Sequence, residues 1–272
     1  MPPYPQWLHC LAWAWLALCF ACSLIIIFDE LHRPQKMMIM NLVWPITALY
    51  FGPVALWGYL HSGVKSTRRH HARMREEIRA ELRQERAAPV RPIGPAARQQ
   101  PPSREQVAVA TTHCGAGCTL GDIGAEWWVF ALGLTFAGGT FATRLVLDFL
   151  LAWSLGVVFQ YFTIVPMRAL PFGKGVLQAM RADTLSIVSF QMGLFAWMAL
   201  TYYVIFPGPH LQASEAVFWF MMQVGMILGF FTSYPVNRFL TSKGWKEKMP
   251  QSKQEMKRNM WEEQQRRTKR AA

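Results

Sequence analysis

Residues Trp7 to Phe28 read WLHCLAWAWLALCFACSLIIIF, an apolar run with no Asp, Glu, Lys or Arg. At about 1.5 Å per helical residue the run is roughly 30 Å long, which matches the hydrocarbon thickness of a bilayer. It is too long for the apolar segment of a cleavable signal peptide, and Met1 to Gln6 lacks the basic residues that precede one. The run therefore predicts a membrane-spanning helix.

The same pattern recurs along the chain, because charged residues are few and strongly segregated. They make up 16% of the 272 residues, against about 25% in an ordinary globular domain. Most lie between Lys65 and Arg104 or after Arg238. Outside these segments we predict five further spans, at 38–60, 126–142, 145–165, 184–206 and 215–239. The sequence thus predicts an all-α, polytopic transmembrane helical bundle of six spans.

The distribution of Lys and Arg predicts the orientation of the bundle. Of 28 such residues, eleven lie between Lys65 and Arg104, three between spans 4 and 5, and eleven from Arg238 onward. With six spans these 25 residues fall on one side of the membrane, and basic loops are retained in the cytosol. We therefore expect both termini to be cytosolic.

Charge and proline content divide the chain into four segments. Residues 1–60 are predicted to form a two-span hairpin, 61–112 a cytosolic basic helix and proline-rich linker, 113–240 a four-span core, and 241–272 a basic cytosolic tail. The linker has five prolines between Pro89 and Pro102 and little that could be buried. The net charge of +12 does not indicate nucleic-acid binding, because it accompanies long apolar runs and suits a surface beside anionic lipid.

A cysteine motif lies just before the third predicted span. His113, Cys114 and Cys118 occur in the stretch THCGAGCTLGD, residues 112–122. Thiolate and imidazole ligands favour soft or borderline metal ions such as Cu(I) and Zn(II). If the intervening glycines bend the chain, both sulfurs and the His113 nitrogen converge on one ion, and Asp122 caps the next helix. The alternative is a turn whose cysteines only pack, since one C-x3-C pair is a weak metal signature.

A second candidate site consists of polar side chains at membrane depth. Gln160, Gln191 and Gln223 fall in spans 4, 5 and 6, with Asp183 and Arg168 at cytosolic span ends. An amide that faces lipid is costly, so we expect the three glutamines to face one another or a shared cavity. They would line a polar pathway or only hydrogen-bond neighbouring helices, a contact often worth about 0.6 kcal/mol. The methionines, whose thioethers can bind Cu(I), are interpreted as gap fillers in helix packing.

Several motifs resemble a family of bacterial multi-pass membrane proteins described as a domain of unknown function. The resemblance rests on HCGAGCTLGD at 113–122, FQYF at 159–162, PMR at 166–168, AD at 182–183, FQMG at 190–193, FWFMMQ at 218–223 and YPVN at 234–237, with MNLVWP at 40–45. It implies a multi-pass protein of the bacterial inner membrane. Some relatives carry a copper-oxidase label, although this chain shows no four-histidine cluster of the kind that oxidase chemistry needs.

These features favour a membrane protein that binds or transports a soft transition metal, with copper as the first candidate. Two alternatives stay open: a non-catalytic membrane assembly or interaction protein, and a membrane thiol redox protein that uses Cys114 and Cys118. No HExxH, GxSxG, Walker A or dinucleotide-binding pattern occurs, so enzymatic activity is not indicated. The implied partners are the lipid bilayer and a metal ion, and the sequence does not specify an oligomeric state.

Overall fold

Helices dominate the structure, a computed structural model that describes residues 4–87, 101–136, 138–168, 171–246, 248–249 and 252–271. Within these residues they are α1 (Gln6–His32), α2 (Met40–Phe51), α3 (Pro53–Gly58), α4 (Arg68–Ala87), α5 (Arg104–Leu132), α6 (Thr140–Arg168), α7 (Phe172–Leu200), α8 (Ala216–Ser242) and α9 (Lys253–Ala271). A π-helical turn, Tyr59–Gly63, continues α3, and another, Thr201–Ile205, extends α7. The predicted all-α class is confirmed.

Four helices are long and apolar enough to cross a membrane: α1, α6, α7 with its π-helical extension, and α8. Their most apolar stretches have mean hydropathies of 1.4 to 2.4. Large apolar side chains point outward from them, among them Phe20 of α1 and Phe162 of α6, which are 58% and 56% exposed. So much outward apolar surface suits lipid and not water, which indicates a membrane protein.

The long helices alternate in direction, which gives the bundle two ends. At one end, called here the far end, the Tyr4 hydroxyl donates to Glu215 just before α8 and its ring contacts Phe206 just after α7. At the other, the basic end, the Tyr234 hydroxyl of α8 donates to the Arg104 carbonyl at the start of α5. The six-span prediction puts the N-terminus on the side opposite the 206–215 link. The structure corrects this, because Tyr4 contacts that link.

The second predicted span, 38–60, is not one continuous helix. α2 ends at Phe51, and Gly52 turns the chain with a φ of +52°, a conformation that favours glycine. The chain then runs back beside α2, so that the Trp44 and Tyr59 rings lie 5.7 Å apart. The Tyr59 hydroxyl donates to Asp29, near the end of α1, at 2.6 Å. Residues 40–63 therefore form a helical hairpin.

The hairpin starts and finishes at the basic end of the bundle, so its two ends lie side by side. The Lys36 amide donates to the Ser66 carbonyl at 3.0 Å, and the Arg68 amide to the Pro34 carbonyl at 3.1 Å. The tip lies halfway along α1, where a Cβ on Gly52 would be 3.0 Å from the Cys19 sulfur. Twelve residues of α2 extend about 18 Å, roughly half a bilayer. The hairpin thus reaches halfway along α1 and turns back, whereas the sequence predicts one continuous span at 38–60.

A long central helix, α5, replaces the predicted third span at 126–142. The Ser103 hydroxyl and the Gln106 side chain form a capping box at its start, and Gly133 ends it with a φ of +59°. The predicted glycine turn and the predicted boundary between residues 112 and 113 both lie inside this helix, so the turn prediction is wrong.

The motif glycines instead allow close packing of α5 on α6. A Cβ on Gly121 would lie 2.3 Å from the Ala152 backbone nitrogen, and one on Gly117 would lie 2.8 Å from the Gly156 Cα. Two small residues four apart on each helix let backbones approach, as in other membrane helix pairs. This packing fixes the height and rotation of α5.

Two charged helices pair with each other at the basic end. Lys253 of α9 forms an ion pair with Glu81 of α4 at 2.6 Å, and Lys257 lies 3.5 Å from the same carboxylate. The predicted basic helix is thus present as α4. Most of the predicted proline-rich linker lies outside the described residues.

Candidate functional site

The two motif cysteines lie on one face of α5, one helical turn apart. Both are free thiols with no exposed surface. The tip of the α2–α3 hairpin packs against the same turn, where a Cβ on Gly115 would be 2.6 Å from the Tyr50 hydroxyl oxygen. The structure therefore brings Cys114 and Cys118 together on α5, where the tip of the α2–α3 hairpin covers the helix.

His113 does not join the cysteines. Its Nε2 atom lies 3.0 Å from the Thr163 hydroxyl of α6, and its ring centroid is 6.2 Å from that of Phe159. Consecutive residues on a helix point about 100° apart, which separates His113 from Cys114. Among the described residues, no group of three or more His, Cys, Asp or Glu side chains is arranged to hold a metal ion. The predicted three-donor geometry is therefore not present.

Two buried carboxylates follow the two cysteines along α5. Cys114, Cys118, Asp122 and Glu126 follow one another at intervals of four residues, and each is at most 2% exposed. Residues four apart share one helix face, so these side chains form a continuous stripe, the α5 stripe. The sequence prediction puts Asp122 at a helix cap and Glu126 at the start of a span. The four-residue interval is the sequence signal that links both residues to the cysteines.

Neighbouring helices supply partners for the two carboxylates. The Gln191 amide of α7 donates to Asp122 at 2.8 Å. Arg144 of α6 pairs with Glu126 at 3.3 Å, and both side chains are at least nine-tenths buried. Asp148, one turn along α6 from Arg144, is within hydrogen-bonding range of the Glu126 carboxyl. Three helices thus converge on one acidic cluster.

The acidic cluster contains more carboxylates than cations. Asp122, Glu126 and Asp148 are buried near one another, and the described cation among them is Arg144. Arg144 balances one of the three carboxylates, and uncompensated charge is costly inside a membrane bundle, so protonation of the other two would lower that cost. A cavity of about 20 Å³ lies beside Glu126, Arg144 and Asp148 and has room for one water molecule.

A second buried ion pair lies near the basic end. Lys246 contacts Asp183 of α7 at 2.5 Å and donates to the Asn237 side chain at 2.7 Å. A Cβ on Gly156 of α6 would lie 3.2 Å from the Asp183 carboxylate, and Gly156 packs on Gly117, which lies between the two cysteines of α5. Ionisable side chains therefore follow one another from Lys246, through Asp183 and the thiols, to Glu126 towards the far end.

The three glutamines of the predicted polar site are buried, but the hydrogen bonds described for them do not join one glutamine to another. Gln160, Gln191 and Gln223 are all buried, at 2%, 1% and 7% exposure. Gln191 bonds to Asp122, whereas the Gln223 amide donates to the Leu49 carbonyl near the hairpin tip. These hydrogen bonds go to different helices, so burial does not depend on contact among the glutamines.

The structure describes the side chain of one of the other two predicted pathway residues, Asp183, and not that of the second, Arg168. Asp183 is fully buried and paired with Lys246. Arg168 is the last residue of α6, and its side chain lies outside the described part of the chain.

Comparison with known proteins identifies a family for the region that contains this site. Residues 103–246 match the model of a domain of unknown function, DUF4396. The matched region contains α5 to α8 and covers just over half of the 272 residues. No curated protein and no solved structure matches the chain. The chain belongs to the DUF4396 family, a family defined by a domain of unknown function.

Proposed function

We propose that this protein carries a cation through the centre of a membrane-spanning bundle along the α5 stripe. The observation that carries the proposal is the stripe itself: two thiols and two carboxylates, all buried, at four-residue intervals on one helix. Ionisable side chains at membrane depth are costly and usually mark ion pathways or proton relays. Thiolates and carboxylates all bind cations, so the stripe suits positively charged cargo.

The proposed membrane arrangement has five crossing helices, α1 and α5 to α8, with the α2–α3 hairpin re-entrant. In this arrangement Arg33 and Lys36 join the segments that contain the other basic residues, so 27 of the 28 Lys and Arg residues belong to the basic end. The remaining one, Arg144, is buried against Glu126. Because positive loops stay in the cytosol, we assign the basic end and the C-terminus to the cytosol and the N-terminus to the outside.

The re-entrant hairpin supports a transport role. Interrupted or turned-back helices occur at membrane depth where they are buried in protein or line a pathway, and transporters build binding sites at such breaks. Here the hairpin tip brings Tyr50 against α5 beside the thiols, and the Leu49 carbonyl against Gln223. The break therefore lies beside the thiol end of the α5 stripe.

Protons are the cargo that the acidic cluster favours. A carboxyl group can accept and release a proton without any rearrangement of ligands. Glu126 and Asp148 are within hydrogen-bonding range of each other, and Asp122 lies one helical turn from Glu126 on α5. At the basic end, the Asp183–Lys246 ion pair would block proton passage, and proton transfer would require the two side chains to separate.

A soft metal ion, Cu(I) first, is a second candidate cargo. It is favoured by the placement of Cys114 and Cys118 on one face, since two thiolates can bind a soft ion. Methionine thioethers lie in the same apolar cluster as these cysteines, at Met198, Met221, Met222 and Met226. In this case the thiols would bind the ion and the carboxylates would receive it.

Flux measurements in proteoliposomes test the proposal and separate the two cargoes. Purified protein is reconstituted with an internal pH indicator, a membrane potential is imposed, and proton entry is compared with Cu(I) uptake. The Asp122→Asn variant should slow flux at least about tenfold, because each 1.36 kcal/mol added to a barrier is a factor of ten. Glu76→Gln, which changes an exposed carboxylate on α4, is the matched control and should leave the flux unchanged.

The cargo is identified by which variants lose flux. Proton entry that survives Cys114→Ser/Cys118→Ser but not Asp122→Asn supports protons. Cu(I) uptake lost in both supports the metal. Wild-type vesicles that pass neither ion faster than empty vesicles contradict cation transport.

A further inference from the structure

A wide groove opens at the basic end, apart from the α5 stripe. It has a volume of about 1050 Å³ and lies between the α1–α2 link, α4, the end of α6 and α9. Small-molecule sites commonly measure about 300–1,000 Å³, so the groove is large enough for an extended ligand.

Three basic residues line one side of the groove. They are Lys36 of the link and Arg68 and Arg75 of α4, and no ion pair to an acidic side chain joins any of them within the described residues. Glu263 of α9 lies at the opposite wall. Partial desolvation and the nearby Arg75 guanidinium lower the pKa of Lys36, although the side chain still reaches solvent. Like charges held this close together favour an anion between them.

The buried imidazole behind these residues responds to the same positive field. Burial, helped by the charges of Lys36, His70 and Arg75, lowers the pKa of His71 to about 4. His71 therefore stays neutral near pH 7, and the positive charge of the groove comes from the lysine and arginines.

Apart from Asn41 and Asn259, the rest of the lining is apolar, and it extends along α6. Met38, Leu42 and Phe162 line the groove and are 75%, 53% and 56% exposed, and Phe162 belongs to a candidate membrane span. Met256 and Met260 of α9 add flexible apolar surface at the other wall. The groove therefore combines a cationic head region with an apolar region that continues along the outside of the bundle.

We propose that this groove binds an anionic phospholipid, with its phosphate between Lys36, Arg68 and Arg75 and its acyl chains along Met38, Leu42 and Phe162. A basic cluster at the cytosolic membrane surface attracts anionic headgroups, and the exposed apolar strip gives the chains a surface that a soluble phosphate cannot use. The inference rests on the proposed membrane orientation and not on the cargo of the α5 stripe.

Competition binding with full-length protein in a neutral detergent tests the proposal. Fluorescent phosphatidylglycerol is bound first and then displaced with unlabelled phosphatidylglycerol, phosphatidylcholine or glycerol 3-phosphate. Arg68→Gln/Arg75→Gln is compared with Arg73→Gln/Arg79→Gln, which removes the same charge from the same helix outside the groove lining. All four arginines are exposed, and thermal unfolding of each variant checks that the fold is kept.

Phosphatidylglycerol should displace the probe, and neither the neutral lipid nor glycerol 3-phosphate should do so at the same concentration. The groove variant should bind about 25-fold more weakly, about fivefold per basic residue, while the control stays close to the wild type. Displacement by glycerol 3-phosphate as effective as by lipid would assign the groove to a soluble anion and overturn the proposal. Equal losses in the two double variants would also overturn it, because they would show a general effect of charge.

Discussion

Individual charged residues inside the bundle carry most of the functional information. Four buried carboxylates, Asp122, Glu126, Asp148 and Asp183, share two buried cations, Arg144 and Lys246. A chain that needed only stability would gain by replacing such groups with apolar side chains of similar volume. Their presence inside the bundle is the basis for the proposed cation transport.

The Asp183–Lys246 pair gives a direct test of a buried charge. Lys246→Met should destabilise the protein by about 3–5 kcal/mol, because it leaves Asp183 buried without its cation. Adding Asp183→Asn to it should recover most of this loss. Thermal unfolding in detergent measures both variants.

The matched control is Lys243→Met, three residues earlier, where the side chain is exposed. Its free energy of unfolding should stay within about 0.5 kcal/mol of the wild type. If the double variant is no more stable than Lys246→Met alone, the lysine acts through something other than its pairing with Asp183.

Sequence reasoning found part of this site for identifiable reasons. Cysteines at a fixed interval and polar side chains within or beside apolar runs are visible in one dimension, so the sequence alone indicates Cys114, Cys118, Gln191 and Asp183. A carboxylate near the edge of an apolar run looks like a span boundary, so the sequence does not single out Glu126. Its burial depends on Arg144, which is 18 residues away and on another helix. No pattern within α5 shows that partner.

Among the helices, hydropathy located those that face outward. The predicted spans 7–28, 145–165, 184–206 and 215–239 correspond to α1, α6, α7 and α8. It did not locate α5, which other helices surround and which can therefore carry Thr111, Thr112, His113 and Asp122. A helix enclosed by protein needs internal partners and not an apolar exterior, so a lipid-transfer criterion does not select it.

The α5–α6 contact can be tested with two glycines of the same helix. Gly121→Ala should destabilise the protein by about 1–3 kcal/mol, because its Cβ would meet the Ala152 backbone at 2.3 Å. Gly124→Ala, whose nearest neighbour is the Leu151 Cδ1 atom at 3.8 Å, should be neutral or gain up to about 1 kcal/mol.

Chemical or thermal unfolding in detergent compares the two variants. Equal stability of Gly121→Ala and Gly124→Ala would show that α5 and α6 are not packed this closely.

The docking of the hairpin tip on α5 gives another prediction. Gly115→Ala should destabilise the protein, because its Cβ would lie 2.6 Å from the Tyr50 hydroxyl. Tyr50→Phe should restore part of that stability. The Thr47 side chain is within reach of the hydroxyl, so removal of the hydroxyl alone should cost no more than about 1.5 kcal/mol, the net contribution of one hydrogen bond.

A double-mutant cycle measured by thermal unfolding gives the coupling between the two positions. Residues in contact usually show couplings of about 0.5–3 kcal/mol. A coupling of zero would mean that Tyr50 does not contact α5 at Gly115.

For the whole molecule, the membrane class could be predicted from composition and the number of crossings could not. The run 38–60 has the length and hydropathy of a span, but Gly52 and Pro53 lie at its middle, and proline and glycine are tolerated in crossing helices as well. Tertiary contacts, among them those of Lys36 with Ser66 and of Tyr59 with Asp29, show that the segment turns back, and the sequence does not. One such reversal moves the N-terminus to the opposite side.

The side of the membrane on which the α1–α2 link lies decides between five crossings and six. Lys36→Cys, Gly208→Cys and Lys248→Cys are introduced separately into a Cys10→Ser background, where the remaining cysteines are buried. Each variant is treated with a membrane-impermeant thiol reagent in intact cells and in inverted vesicles. Gly208→Cys reports the far end and Lys248→Cys the C-terminal tail. We predict that Lys36→Cys is labelled with Lys248→Cys in inverted vesicles only. Labelling of Lys36→Cys in intact cells, together with Gly208→Cys, would contradict the re-entrant hairpin and the five-helix arrangement.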